Sequence, residues 1–148
     1  VIPVSTKRCV VKLDDKKAAS RLARWQGIAE AAAKQSKRAV IPQVCGVMDF
    51  PQALELAAQM DVKLIPYEMA EGMEKTRSLL EHVAAGQEIA VFIGPEGGFE
   101  ENEIRLAEAK GIEAITLGKR ILRTETAGMT VLSWLMYQLE GKTQKADG

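Results

Sequence analysis

The feature that most restricts the fold of this 148-residue chain is an uninterrupted apolar run, Ile89 to Ile93, followed at once by the glycine-rich segment GPEGGF. Such a run is typical of a strand buried in a parallel sheet, and we predict a strand from Glu88 to Ile93. Glycines directly after a strand allow a tight turn and let the backbone approach a ligand closely. The carboxyl end of this strand is therefore a candidate binding site.

The rest of the chain alternates between short apolar runs and amphipathic stretches, which favours an α/β fold with a mostly parallel sheet flanked by helices. Further strands are predicted at 8–13, 62–65 and 114–117. Helices are predicted after Asp14 or Asp15 and at 51–60, 76–85, 100–110 and 127–139. Asp49 is the predicted cap of the second helix and Gly111 the predicted end of the fourth. Residues 68–75 and 118–126 are predicted to be loops.

The first predicted helix belongs to a basic N-terminal region. Residues 1–38 hold 10 lysines and arginines against 3 aspartates and glutamates, whereas the whole chain carries 20 of each. This asymmetry favours a basic surface that can meet a polyanion, although a solvated helix face explains it as simply. One stripe of the helix is expected to face a core or a partner, and it comprises Ala18, Leu22, Trp25, Ala29 and Ala32.

Composition excludes several classes of protein. A hydrophobic content of 47% and a charged content of 27% are typical of one folded domain. The apolar runs are far shorter than the roughly 20 residues of a membrane-spanning helix, and the first residues lack the features of a signal peptide. The cysteines Cys9 and Cys45 are predicted to be buried packing residues, and His82 to be structural or exposed. A cytoplasmic protein without a metal site is the simplest interpretation.

The glycine-rich segment Gly94–Gly98 constrains the ligand. Its pattern is neither that of a dinucleotide-binding turn nor that of a P-loop, and Glu96 would repel a di- or triphosphate. A ligand without phosphates, such as an adenosine or amino-acid moiety, suits a loop of this kind. A plain strand-to-helix turn is the alternative.

A second loop, 117–126, leaves the predicted sheet one βα step later. Two successive loops at the same edge of a sheet can line one pocket. The cations Lys119, Arg120 and Arg123 in this loop suit a polyanionic second substrate. Arg123 and Glu125 could equally form a structural ion pair.

Three strings carry a resemblance to a known family. GPEGGF, LGKRILRTETA and the upstream RWQGIAEAAAKQSKR resemble the bacterial 16S ribosomal RNA uridine N3-methyltransferase family (RsmE-like) of the SPOUT superfamily. The ribose 2′-O-methyltransferase branch also has a glycine-glutamate-glycine loop, but it carries a serine-leucine-asparagine signature near the last helix. This chain reads TETAGMTVL there, which favours the base-methylating branch.

The resemblance implies a C-terminal trefoil knot that binds S-adenosylmethionine and a homodimer formed through the last helix. It implies a catalytic domain over 1–141 and a polar tail at 142–148, and an N-terminal PUA-like RNA-binding domain is expected to be absent from this chain. The implied substrate is a uridine of 16S ribosomal RNA, free or in the small ribosomal subunit. The alternatives are methylation of a ribose oxygen or a transfer-RNA base, and a non-catalytic RNA-binding or dimerisation module.

The resemblance also assigns residues. Lys34, Gln35 and Arg38 would contact RNA. For the chemistry, we hypothesise that Arg123 stabilises the developing negative charge and that Glu125, or a water it holds, accepts the proton. The residues implied to hold the cofactor are Gly94, Pro95, Glu96, Gly97, Gly98, Leu117, Gly118, Ile121, Leu122 and Arg123.

Overall fold

The computed structural model describes residues 1–8, 15–70 and 72–143. The chain divides into two compact units, Val1–Ala53 and Leu54–Gly148, and the boundary falls within helix α2. The first unit contains β1 (Val4–Ser5), α1 (Asp15–Gln35), β2 (Met48–Asp49) and the start of α2 (Phe50–Ala58). The second contains β3 (Val62–Pro66), α3 (Met73–Glu81), β4 (Ile89–Val91), α4 (Glu101–Ala109), β5 (Glu113–Ile115) and α5 (Thr124–Thr143).

In the first unit, β1 pairs in parallel with β2, with Val4 opposite Met48. The sequence did not predict either strand, because two residues carry no periodicity. The predicted strand 8–13 is not observed at Arg8, which lies in a turn, and its other residues are outside the described ones. The predicted caps of α1 also lie outside the described part, which excludes Asp14 and the side chain of Asp15.

Helix α1 confirms the long helix expected from the sequence, with one correction to its buried stripe. Ala18, Leu22, Trp25 and Ala29 are half-buried, but Ala32 is exposed and Ala33 is 3% exposed instead. Ala33 lies eleven positions after Leu22, which is close to three helical turns and keeps these two side chains on one face. Cys45 is half-buried rather than buried, and Cys9 lies outside the described residues.

Helix α2 begins at the predicted cap. The Asp49 carboxylate accepts a hydrogen bond from the backbone N–H of Gln52 at 2.8 Å. The Gln52 side-chain carbonyl in turn accepts one from the N–H of Asp49 at 3.1 Å. This reciprocal pair is a capping box, which satisfies donors that the first helical turn leaves free.

The second unit is built on a parallel three-stranded sheet with the order β4-β3-β5. Val62 lies opposite Ile89, and Leu64 lies opposite both Val91 and Glu113. The predicted parallel sheet flanked by helices is therefore confirmed. Strands β4 and β5 are shorter than predicted, at 89–91 and 113–115, because the chain leaves the ladder where the loops at the carboxyl edge begin.

Helices α3 and α5 pack together over this sheet. Val83, which follows α3, and Val131 and Leu135 of α5 form a buried cluster. Half-buried side chains from the helices, strands and loops complete it, namely Val62, Leu80, Ile89, Val91, Leu117 and Leu139. Burial of this apolar surface holds α5, the last helix of the described residues, against the sheet.

Helix boundaries differ from the sequence predictions mainly at α3. It begins at Met73, within the predicted loop 68–75, and ends at Glu81. His82 follows it, exposed, with Nδ1 2.6 Å from the carbonyl oxygen of Ser78, as expected for a surface residue. Helix α4 ends as predicted before Gly111, where the N–H of Ile112 donates to the carbonyl of Ala107 at 3.1 Å.

Helix α5 is longer than predicted and buries only part of its apolar surface. Val131 is 0% and Leu135 6% exposed, whereas four large apolar side chains are half or more exposed: Met129, Leu132, Met136 and Tyr137. Within the described part of the chain, α5 and the other helices are too short or too polar to cross a membrane.

Candidate functional site

A cavity of about 940 Å³ lies at the carboxyl ends of the three strands of the second unit. It is lined by three segments, each of which directly follows a strand. The first runs from Pro66, the last residue of β3, to Met73, the second comprises residues 93–99 after β4, and the third comprises residues 116–127 after β5. Parallel strands bring these segments to the same edge of the sheet, which is where open α/β folds bind ligands.

The segment after β4, residues 93–99, is hereafter the glycine loop. The N–H of Gly98 donates to the carbonyl of Pro95 at 2.8 Å and closes a turn, and Gly98 has a φ of +67° that favours glycine. A β-carbon on Gly94 would lie 3.1 Å from Cε2 of Phe99, whose ring is buried. Glycine at position 98 therefore allows the turn, and glycine at position 94 allows Phe99 to pack closely.

Residues 116–123, after β5, form what we call the cation loop. The N–H of Gly118 donates to the hydroxyl of Thr116 at 3.2 Å, and Gly118 has a φ of +102°. A β-carbon there would have nothing within 4 Å, so the backbone conformation, not crowding, favours glycine at this position. Ile121 in this loop is 85% exposed.

The structure brings together most of the residues predicted to hold the cofactor. Nine of the ten line the cavity, and the exception is Gly97. Arg123 and Glu125, the predicted catalytic pair, also line it. Lys34, Gln35 and Arg38 lie in the first unit, exposed, at the end of α1 and in the turn that follows.

Sequence reasoning missed the cavity wall that follows β3. Pro66, Tyr67, Glu68, Ala70, Gly72 and Met73 all line the cavity. The signal was available, because the predicted strand 62–65 ends at Pro66 and parallel strands share one carboxyl edge. The polar composition of the stretch, taken alone, predicts no more than a surface loop.

The charges around the cavity are mixed. Its cationic side chains, Lys119, Arg120 and Arg123, all come from the cation loop, whereas its carboxylates come from all three segments, at Glu68, Glu96 and Glu125. Arg123 and Glu125 are both exposed and form no ion pair with each other, so the ion-pair alternative is not observed. Both side chains can therefore interact with a bound molecule.

Metal ions in proteins are usually bound by groups of histidine, cysteine and carboxylate side chains. Across residues 1–8, 15–70 and 72–143, histidine, cysteine and carboxylate side chains do not gather in groups of three that could hold a metal ion. The cavity instead offers uncovered backbone at its glycines, together with charged side chains of both signs. These groups suit an organic ligand with polar and charged parts.

An α/β unit with an organic-ligand cavity at the carboxyl edge of a parallel sheet defines a broad class of small-molecule-binding domains. The sequence narrows this class, since the pattern of the RNA methyltransferase domain family matches residues 1–136. The chain belongs to this family.

Individual relatives agree with the family. The chain is 40% identical over 143 residues to a protein of Bacillus subtilis (strain 168) named ribosomal RNA small subunit methyltransferase E, with 94% of this chain and 56% of the relative covered. Two of the similar solved structures hold S-adenosylmethionine. One is a ribosomal RNA small subunit methyltransferase E from Neisseria gonorrhoeae bound to S-adenosylmethionine (TM-score 0.77, 36% identity, 93% of this chain and 54% of the other covered).

The second solved structure is a methyltransferase from Legionella pneumophila in complex with the same cofactor (TM-score 0.81, 35% identity, 91% of this chain and 53% of the other covered). The chain thus spans about half the length of the relatives that it matches.

Proposed function

We propose that this chain is the catalytic part of an S-adenosylmethionine-dependent methyltransferase that acts on N3 of a uridine in 16S ribosomal RNA. The observation that carries the proposal is that the glycine loop and the cation loop line one cavity. The proposal is supported by the family match and by the two similar structures that hold S-adenosylmethionine. The relatives named for the small ribosomal subunit support the choice of RNA.

The cavity residues fit this cofactor. Gly94, Gly98 and Gly118 line the cavity without side chains, so an adenosine group can come close to the backbone there, and a volume of about 940 Å³ is near the upper end of ordinary ligand pockets. The carboxylates of Glu68 and Glu96 are available to an ammonium group. When bound, S-adenosylmethionine supplies an electrophilic methyl group on a positively charged sulfur.

The chain's own residues would then act on the uracil. N3–H of uracil is weakly acidic, so removal of its proton leaves negative charge on O2 and O4. Arg123 would stabilise that charge, an effect commonly worth about 3 kcal/mol in a site that excludes water. Glu125 would accept the proton from N3, directly or through one water. Alignment of the two bound reactants would supply about 7 kcal/mol or more.

Contact with RNA is proposed for the end of α1, through Lys34, Gln35 and Arg38. All three side chains are exposed. The N–H of Arg38 donates to the carbonyl of Ala33 at 2.9 Å, which closes the helix end and defines the shape of this basic turn. Phosphate contacts of this kind give an affinity that falls as salt rises.

A homodimer is proposed through α5. Met129, Leu132 and Met136 recur at steps of three and four residues, so these exposed apolar side chains share one stripe of the helix. An exposed apolar stripe of this kind favours burial against a partner. Analytical ultracentrifugation of the 148-residue chain should give twice the mass of one copy, and a monomer at micromolar concentration would contradict this.

The C-terminal trefoil knot of the SPOUT superfamily is also part of the proposal. It is supported by the course of the chain after β5, an edge strand, since α5 returns across the sheet to pack beside α3 and on Ile89 and Val91 of the opposite edge strand. We propose residues 1–141 as the catalytic domain and 142–148 as a polar tail. A ribosomal substrate would place this activity in the cytoplasm.

The proposal is tested in two stages with the 148-residue chain. Isothermal titration calorimetry should show binding of S-adenosylmethionine, and the absence of binding would contradict the proposed function. The chain is then incubated with cofactor and unmodified small ribosomal subunits, and the nucleosides are analysed by mass spectrometry. N3-methyluridine is expected, whereas a methylated ribose or another base would support a different RNA target.

A further inference from the structure

The cation loop begins where the backbone hydrogen bonds of the sheet end. The N–H of Tyr67, just after β3, donates to the carbonyl of Ile115 at 3.0 Å, and Ile115 is the last residue of β5. Thr116 is the next residue and the first of the cation loop. Its backbone groups need other partners, because strand pairing stops before it.

Thr76, a residue of α3 that lies 40 positions earlier in the sequence, provides both partners. Its hydroxyl accepts a hydrogen bond from the N–H of Thr116 at 3.1 Å and donates one to the carbonyl of Thr116 at 3.2 Å. The side chain of Thr76 is almost completely buried, at 1% exposed. One hydroxyl thus holds both backbone groups of Thr116.

The hydrogen bonds continue into the cation loop. The hydroxyl of Thr116 accepts from the N–H of Gly118 at 3.2 Å, and Gly118 has the left-handed φ of +102°. Thr116 and Gly118 line the cavity, whereas Thr76 does not. The hydroxyl of Thr76 therefore reaches this part of the cavity wall through the backbone of Thr116 and not as a lining group.

We infer that Thr76 is a positioning residue for cofactor binding, because its hydroxyl fixes the start of the cation loop. The inference rests on the proposed function only for the identity of the ligand. Without this hydroxyl, two backbone groups of Thr116 lose their partners, and the loop from Thr116 to Gly118 is expected to shift toward other partners or water. Such a shift changes the cavity wall without removing a side chain from it.

The test compares two substitutions of Thr76 that separate its hydroxyl from its shape. Thr76→Val keeps the branched shape but lacks the hydroxyl, and Thr76→Ser keeps the hydroxyl but lacks the methyl group. Thr130→Val is the matched control, since the hydroxyl of Thr130 donates at 2.8 Å to the carbonyl of Thr126 within α5. Circular dichroism establishes that each variant is folded.

Amide hydrogen exchange of the ligand-free chain is the first measurement, and the affinity for S-adenosylmethionine by calorimetry is the second. Thr76→Val should speed the exchange of the Thr116 and Gly118 amides by about tenfold and weaken cofactor binding by about tenfold, as expected when water or other groups replace part of the two hydrogen bonds that Thr116 loses. Thr76→Ser and Thr130→Val should stay within about threefold of the wild type in both measurements.

Two results would overturn the inference. One is wild-type exchange and affinity in Thr76→Val, and the other is an equal defect in Thr76→Ser, which would assign the effect to the methyl group. If the wild-type chain does not bind S-adenosylmethionine, the proposed function fails, but exchange still decides whether Thr76 holds the loop. If Thr76→Val does not fold, exchange in the wild-type chain is the test, because the Thr116 amide donates to the Thr76 hydroxyl; exchange of that amide as fast as that of an exposed amide would overturn the inference.

Discussion

The glycine loop and the cation loop line the same cavity in different ways. The glycine loop is closed by a turn from Pro95 to Gly98 and anchored by Phe99, which is 5% exposed. The cation loop is held at its start, at Thr116, and carries the exposed side chains of Lys119, Arg120 and Ile121. The comparison indicates that the glycine loop supplies shape and one carboxylate, Glu96, whereas the cation loop supplies the positive charge of the cavity.

The largest effect is expected from a pair of substitutions that measures how firmly each loop is packed. Phe99→Ala should lower the free energy of unfolding by about 3–5 kcal/mol, because it removes a buried aromatic ring. Ile121→Ala should change it by less than about 0.5 kcal/mol, because that side chain is 85% exposed. Urea denaturation measures both values, and a similar cost for the two variants would remove the distinction between the loops.

The substitution Arg123→Ala measures how much the positive charge of the cation loop contributes to turnover. Turnover should fall by about 100-fold, because the variant lacks the cation proposed to stabilise the developing charge. The free energy of unfolding should change little, since Arg123 is exposed. Methyl transfer to small ribosomal subunits is measured beside Arg105→Ala, whose arginine forms an exposed ion pair with Glu101 on α4. Wild-type turnover in Arg123→Ala would remove this residue from the mechanism.

The substitution Gly98→Val measures how much the backbone turn of the glycine loop contributes to the affinity for S-adenosylmethionine. A branched residue at a φ of +67° carries about 1–3 kcal/mol of backbone strain, so the turn should open and the affinity for S-adenosylmethionine should fall by at least about tenfold. Gly86→Val is the matched control, because Gly86 has a φ of +88° but does not line the cavity. It should lower the midpoint of thermal unfolding and leave the affinity unchanged. Equal affinities of the two variants would contradict the role of the glycine loop.

Much of this arrangement could be predicted from the sequence, because it depends on local signals. The apolar run before Gly94, the polar segment after Leu117 and the rule that parallel strands share a carboxyl edge together predict two loops at one site. The cap at Asp49 and the helix end at Gly111 have equally local signatures.

The features that the sequence does not predict depend on contacts between residues that are far apart in the chain. The bonds from Thr76 to Thr116 join positions that no periodicity relates. The exclusion of Gly97 from the cavity lining depends on how the turn from Pro95 to Gly98 is oriented, which composition does not specify. The strands Val4–Ser5 and Met48–Asp49 are too short to give a pattern, and only their pairing defines them.

The central claim, that the two loops jointly bind S-adenosylmethionine, is tested most directly by a crystal structure of the chain with this cofactor. The account predicts continuous electron density for the cofactor between Gly94–Gly98 and Leu117–Arg123, in contact with both loops. Density for the cofactor elsewhere on the chain, or in contact with only one of these loops, would contradict it.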